Sequence, residues 1–372
     1  MRIAIDALGL SPFGGARTSA LGWLRALGHQ DRKNEYLVFL SHPEQELAPF
    51  PNFKQWIVPI SNRFGVRLWA QCGLPFLLKR ERVDLLHSIK NLGLIAVPCP
   101  TVITVNDLTH LILMDRYPSI DGLYWQVVQP RILRRAERII AISESTKQDL
   151  MHWYELDEKK IVVIYPSCDL RFRRDYDPEG LEEVRTRYRL PSAILLFVGG
   201  LGIHKNVATL IRAFAQITME IPHGLVVVGG MHHTSSDSTL NRLARVLRIE
   251  DRVWFLGAVP ASDLPLLYRL ADLCVFPSLN EGFGLALLEA MASGTPILAS
   301  NRGSIPEVVG DAGRLVADPL DDQAFAAAIV KLLADRQTLA WMREQGLVRS
   351  QRFSWQQTAV STLALYREIV HE

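Results

Sequence analysis

The chain has 372 residues, too many for one ordinary core and a good match to two domains of ~150–200 residues. It is 48% hydrophobic and 22% charged with a net charge of +2, so bulk electrostatics gives no support to a nucleic-acid partner. Four scattered cysteines (Cys72, Cys99, Cys168, Cys274) form neither a CxxC pair nor a disulfide framework, and no run reaches the ~18–20 apolar residues of a spanning helix. A cytosolic protein is expected, able to touch a membrane surface without crossing it.

Short apolar runs alternate with helical segments in two series. The first comprises 2–6, 36–40, 56–60, 85–87, 102–105, 139–142 and 162–165; the second comprises 194–198, 225–228, 253–256, 273–276, 296–299 and, weakly, 313–316. Asp6 interrupts the N-terminal run, which therefore reads as a strand and not a signal peptide. Continuous Val/Ile/Leu runs separated by helices indicate parallel strands covered on both faces. The fold class is therefore α/β, with two doubly wound domains. The join falls within PSCDLRFRRDY (166–176), giving expected domains of 1–170 and 171–354, with a final helix over 355–372.

Candidate site residues gather in the second series. The run 194–198 leads into GGLGIHKN, where Gly199 and Gly200 permit close backbone approach and Lys205 stands at a helix start. Unpaired N–H groups, a positive dipole end and an ammonium suit a diphosphate. The segment is neither a P-loop nor a dinucleotide fingerprint, and a surface lysine is the plainer reading. Gly229-Gly230 and Gly257 end the next two runs, and in an open α/β sheet ligands sit beyond the carboxyl ends of strands. Next come Glu281-Gly282-Phe283-Gly284-Leu285, offering backbone donors, and Glu289, the one charged residue in GLALLEAMASG. A carboxylate in so apolar a run needs a partner. If the eight positions from Glu281 to Glu289 are largely helical they span about 12 Å, which suits a sugar at one end and a ribose at the other. Capping by backbone or pairing with an arginine is the structural alternative.

Other candidates are weaker. Met231 could cover a nucleobase or simply pack, and His232-His233 stand in a polar loop with no partner cluster that would make a metal site. His87 follows a buried strand and His110 lies just past Asn106-Asp107; either could face an acceptor or serve the core. The segment from Arg63 to Arg82 mixes Leu68, Trp69, Phe76, Leu77 and Leu78 with basic residues, opposed only by Glu81. Such a segment can lie on an anionic membrane or pack on the sheet with solvated ends. RILRRAER (131–138) is similar and could bind an anionic acceptor.

The motifs PSLNEGFGLALLEAMASGTPILASNRGSIPEV, VGGLGIHKN and FLGAVP, in that chain context, resemble the second domain of the retaining GT-B glycosyltransferases of family 4, whose E-x7-E element Glu281 and Glu289 match. Gly14-Gly15-Ala16-Arg17, TVNDLTHL, AISEST and RFSWQQTA resemble the family's first-domain loop, strand end, serine turn and C-terminal helix. The resemblance implies two Rossmann-like domains facing a deep cleft, with the last helix crossing back to the first. It implies that Glu289 holds the ribose, Glu281 with the Gly282–Gly284 backbone holds the donor sugar, Lys205 steadies the diphosphate, and Gly15 approaches the phosphates. Asn106 stands where relatives place a histidine against the sugar, and Gly200 where many place an arginine; Arg17 or Arg302 could supply that charge. Retention and independence from metal are implied, with no cofactor beyond the donor.

The expected activity is transfer of a hexose, mannose from GDP-mannose by preference and otherwise glucose or a related sugar from a UDP-sugar, to a saccharide or lipid-linked acceptor. Arg17, His87 and His110 are the acceptor-side candidates. A nucleotide-sugar epimerase would need an acid/base pair that the sequence does not place. A non-catalytic nucleotide-sugar sensor stays open through Gly200 and Asn106.

Overall fold

The computed structural model describes residues 1–10, 14–60, 62–116, 122, 124–172, 175–230 and 235–371. The chain divides into two compact units, Met1–Ser167 with Ser354–Glu372, and Cys168–Phe353.

The first unit is built on β1 (Arg2–Asp6), β2 (Glu35–Leu40), β3 (Phe53–Ile57), β4 (Leu85–Ser88), β5 (Thr101–Val105), β6 (Arg138–Ala141) and β7 (Ile161–Val163). They pair in parallel in the order β3-β2-β1-β4-β5-β6-β7. The second unit carries β8 (Ile194–Val198), β9 (Gly224–Val228), β10 (Val253–Gly257), β11 (Leu273–Phe276), β12 (Ile297–Ser300) and β13 (Arg314–Val316). Its parallel order is β10-β9-β8-β11-β12-β13. In each sheet the order reverses once, between β1 and β4 and between β8 and β11. Helices leave the sheet on opposite faces there, and the carboxyl ends of the strands open a crevice for ligands.

The central strands are buried throughout, as continuous apolar runs demand: every residue of β8, β9 and β11 is in the core. The edge strand β3 corrects the expected run 56–60. It starts three residues earlier because Phe53 stacks on Tyr36 at 4.6 Å and pairs with it in register. Lys54 and Gln55 on that half-exposed edge hide the strand from an apolar-run reading.

The final helix, Trp355–His371, packs on the first unit, to which it belongs. Trp23 donates its indole N–H to the Thr362 hydroxyl at 3.2 Å. The Tyr366 hydroxyl meets Nδ1 of His87 at 2.5 Å, and the Thr104 hydroxyl meets Nε2 at 2.7 Å. Gly22 makes room for the Trp355 ring, since a Cβ there would stand 2.6 Å from it. Thus a segment nearly two hundred residues downstream completes the first core. Tyr366→Phe removes the hydroxyl facing a ring nitrogen in that core. It should lower the urea midpoint of the first unit by the equivalent of about 1–3 kcal/mol; an unchanged midpoint would show that the contact contributes nothing.

Candidate active site

Two loops flank the reversal point of the second sheet. One follows β8: Gly199 donates its N–H to the Val228 carbonyl at 2.9 Å, and Gly229 donates to the Gly257 carbonyl at 2.8 Å. These bonds tie the ends of β8, β9 and β10 together. Gly229 has φ of 130°, and a Cβ there would stand 1.9 Å from the Gly199 carbonyl oxygen, so only glycine fits. Farther along, Asn206 caps the helix Val207–Ile217 from the left-handed region, at φ of 54°. Its amide donates to the carbonyls of Pro277 at 3.0 Å and Pro319 at 2.6 Å. Leu279 donates its N–H to the His204 carbonyl at 2.7 Å, so the loop after β8 is stitched to the loop after β11.

This stitching brings Lys205 and Glu281 together. The ammonium donates to both carboxylate oxygens, at 2.7 and 2.8 Å, and Ser278 donates its hydroxyl to Oε1 at 2.7 Å. The pair is largely shielded, with side chains 20% and 12% exposed. Burial raises the Glu281 carboxyl, but the charge and hydrogen bonds of Lys205 and the Ser278 hydroxyl outweigh it, leaving the group below its ordinary range. Behind it, Ser304 donates its N–H and its hydroxyl to the Glu281 carbonyl, at 3.1 and 3.0 Å. The Asn301–Ser304 turn therefore lies against Glu281, with Gly303 fitting only for want of a Cβ, which would stand 2.6 Å from that carbonyl. Arg302 is exposed on this turn.

Glu289 is 8% exposed on the helix Leu285–Ala292 and accepts a hydrogen bond from the Tyr268 hydroxyl at 2.9 Å. Burial dominates here and raises its carboxyl from 4.5 to about 7, although Tyr268 and the Arg171 charge pull the other way. The two acids are thus pushed in opposite directions. Only the second half of the interval between them is helical, because Gly284, at φ of 86°, stops the helix short of Glu281. The expected 12 Å span, which assumed a helix throughout, does not apply.

The remaining candidates divide sharply. The Phe283 side chain belongs to the core and meets Phe353 edge-on at 5.3 Å, so only its backbone can face a ligand. Gly200 and Gly282 lie in the two loops, and Leu285 opens the short helix. Space is open around Gly200, where a Cβ would meet nothing within 4 Å. Met231 lies outside the described residues, as do His232-His233. Gly15 opens the helix Gly15–Gln30 in the first unit. Arg17 is engaged by both oxygens of Glu44, with Nη2 at 2.7 Å from Oε2, so its charge is already matched within the first unit. His87 is 1% exposed with both ring nitrogens engaged, and burial pulls it down to about 3. It is a neutral group of the first core.

Asn106 follows β5. Its N–H donates to Asn91 Oδ1 at 2.7 Å and its carbonyl accepts from the Thr146 hydroxyl at 3.3 Å. It lines a cavity of about 50 Å³ at the carboxyl edge of the first sheet, shared with Ser19, Trp23, Thr104 and Trp355. His110 is on the short helix Thr109–Ile112, stacked on Trp125 at 5.7 Å. Ser278, Asn206 and Tyr268 escaped the sequence reading. Tyr268 alone left a trace: a phenol in the apolar run Leu264–Leu270 needs a polar partner as much as Glu289 does.

Two family models match the chain: "Glycosyltransferase Family 4" over residues 13–172 and "Glycosyl transferases group 1" over residues 182–349. The chain is also 31% identical over 270 residues to O-antigen chain mannosyltransferase B of Escherichia coli, covering 72% of this chain and 70% of that protein. The protein is a group 1 glycosyltransferase. Another relative of this transferase, D-inositol 3-phosphate glycosyltransferase of Corynebacterium glutamicum, is 32% identical over 253 residues; the match spans 66% of this chain and 60% of the relative's length. Among solved structures, sucrose-phosphate synthase of Thermosynechococcus elongatus superposes with a TM-score of 0.80 at 23% identity, covering 99% of this chain and 98% of that one. Anabaena Alr3699/HepE, solved with UDP-glucose, superposes at 0.77 with 22% identity, covering 98% and 99%. The transferase has the GT-B fold.

The raised carboxyl of this transferase's Glu289 has a consequence for stability. The folded state keeps that proton to higher pH than the unfolded chain, so the stabilising contribution is complete below about 4.5 and is lost as pH rises through about 7. Glu289→Gln, neutral throughout, should therefore gain on the wild type between about pH 5 and pH 8, by on the order of 3 kcal/mol. Urea midpoints of both proteins at the two pH values measure this; a constant difference would show that Glu289 titrates as in an open chain.

Proposed function

We propose that the protein transfers a hexose, mannose from GDP-mannose first, to a saccharide or lipid-linked acceptor, with retention and without a metal ion. The observation that carries the reading is the Lys205 ammonium held 2.7 and 2.8 Å from the Glu281 carboxylate at the reversal point of the second sheet. A diphosphate leaving group needs positive charge placed in advance where its own charge grows. Lys205 supplies that charge, and the N–H groups at the start of the helix Val207–Ile217 add to it. A carboxylate has about four acceptor positions, so Glu281 can hold Lys205 and Ser278 and still take a sugar hydroxyl. Glu289 serves the ribose hydroxyls. In the transfer, the bond from the anomeric carbon to the diphosphate oxygen breaks, an acceptor oxygen bonds to that carbon on the same face, and the acceptor proton leaves with the diphosphate. The mannosyltransferase relative supports mannose as the first sugar to test, and its part in an O-antigen chain supports a saccharide acceptor.

Binding and turnover of GDP-mannose, compared with UDP-glucose and with bare GDP and UDP, test the reading. Glu289→Ala should weaken donor and bare nucleotide alike by about 1–3 kcal/mol, the cost of unpairing a shielded polar contact. Glu281→Ala should instead reduce sugar-dependent turnover more than affinity for the bare nucleotide. Equal losses in both variants for both ligands would contradict this division of roles. Release of nucleotide diphosphate should persist in excess chelator, and the product should show the donor's anomeric configuration by NMR. Sugar isomerisation without nucleotide release would point to an epimerase, and tight binding without either to a sensor.

A further inference from the structure

The helix Arg63–Arg80 of the first unit has two apolar faces. Val66, Ala70, Leu74, Leu77 and Leu78 are buried against Ala4, Phe39 and Leu86 of the sheet. The opposite face repeats every four residues as Phe64, Leu68, Cys72 and Phe76, and all four are exposed. Phe64, Leu68 and Phe76 show 80%, 67% and 68% of their surface to solvent. Twelve residues of helix make this stripe about 18 Å long. Ile95, 50% exposed, extends it sideways: its N–H donates to Gln71 Oε1 at 2.9 Å, and its carbonyl accepts from Arg135 Nη1 at 3.0 Å. Scattered single hydrophobes on a surface need no explanation, but a contiguous ordered stripe of large side chains does.

The charge on this helix is of one sign. The helix RFGVRLWAQCGLPFLLKR contains no acidic residue, and Lys79 with Arg135, which holds the Ile95 carbonyl, flanks the apolar row. Arg80 is matched by Glu81 at 3.0 Å and the Arg67 guanidinium lies over the Tyr124 ring at 5.4 Å, so neither counts toward the excess. A second copy of the chain fits this face poorly, because a two-fold contact would set the same basic rims against each other. An anionic lipid surface satisfies both halves: its acyl boundary takes the phenyl and leucyl groups, and its headgroups take the basic ones.

We propose that the outward face of Arg63–Arg80, with Ile95 and the flanking Lys79 and Arg135, docks the protein onto an anionic membrane. The helix starts from Asn62 beyond the carboxyl end of β3, and a Cβ on Gly9, beyond the end of β1, would lie 3.4 Å from Val66. The docking face therefore begins beside the carboxyl ends of β1 and β3. The proposal does not rest on the transferase reading and survives its failure.

Co-sedimentation of the full chain with phosphatidylglycerol-containing vesicles, against pure phosphatidylcholine vesicles, tests it. The wild type should bind the anionic vesicles and release them in high salt. Leu68→Glu with Phe76→Glu should lower the partition coefficient by about tenfold or more, with unchanged circular dichroism. Should that pair disturb folding, Lys79→Gln with Arg135→Gln reads the same surface through a weaker salt dependence. An environment-sensitive fluorophore on Cys72 should shift to the blue with anionic vesicles alone. No binding to anionic vesicles, equal binding by the variants, an unshifted fluorophore, or a wild-type dimer that the glutamate variant dissolves would each overturn the proposal.

Discussion

The candidate site depends on one shielded ion pair, Lys205 with Glu281, set across the point where the second sheet reverses its strand order. Such a pair is a poor stabilising device, because desolvating two charges cancels much of their attraction. It persists because its surroundings are already ordered: Ser278 donates to the carboxylate, Leu279 bonds the His204 carbonyl, and Asn206 spans to Pro277. These contacts fix an ammonium and a carboxylate at the carboxyl ends of β8 and β11. That is the place in an open α/β sheet where a ligand can reach both.

Glu289 shows how far environment controls chemistry within one short segment. It lies eight positions from Glu281 but has a phenol for a partner in place of an ammonium. A hydrogen bond from Tyr268 does not offset the loss of water around a carboxylate, so the group is pushed up, whereas Lys205 pulls Glu281 down. Two acids held at different protonation tendencies can do different work: one stays charged beside a cation, and the other responds to hydroxyl donors near neutral pH.

The first unit repeats that strand order with one further strand, β7, at its edge. Its carboxyl edge holds Asn106, fixed through its backbone by Asn91 and Thr146, above a cavity closed by Trp355 of the final helix. His87 lies beneath, locked between Tyr366 and Thr104, and contributes rigidity in place of charge. The outer helix Arg63–Arg80 spends one apolar face on the core and presents the other to its surroundings.

The sequence by itself determined the number of sheets, the parallel pairing and nearly every strand, because a strand buried on both faces must be apolar along its length and a local run reports that directly. It failed at β3, where polar side chains on a half-exposed edge broke the run. It also determined the lone carboxylate in an apolar helix and the glycines after β8 and β9, of which Gly229 sits where the backbone admits no side chain. Tertiary structure alone decided the partners. Nothing local says that Lys205 meets Glu281 across 76 residues, that Tyr268 answers Glu289, that Glu44 occupies Arg17, or that Phe283 turns into the core. Which charge is neutralised and which ring is covered depends on chain segments brought together only when the sheet closes its order, and pairing energies act over ångströms, not over sequence.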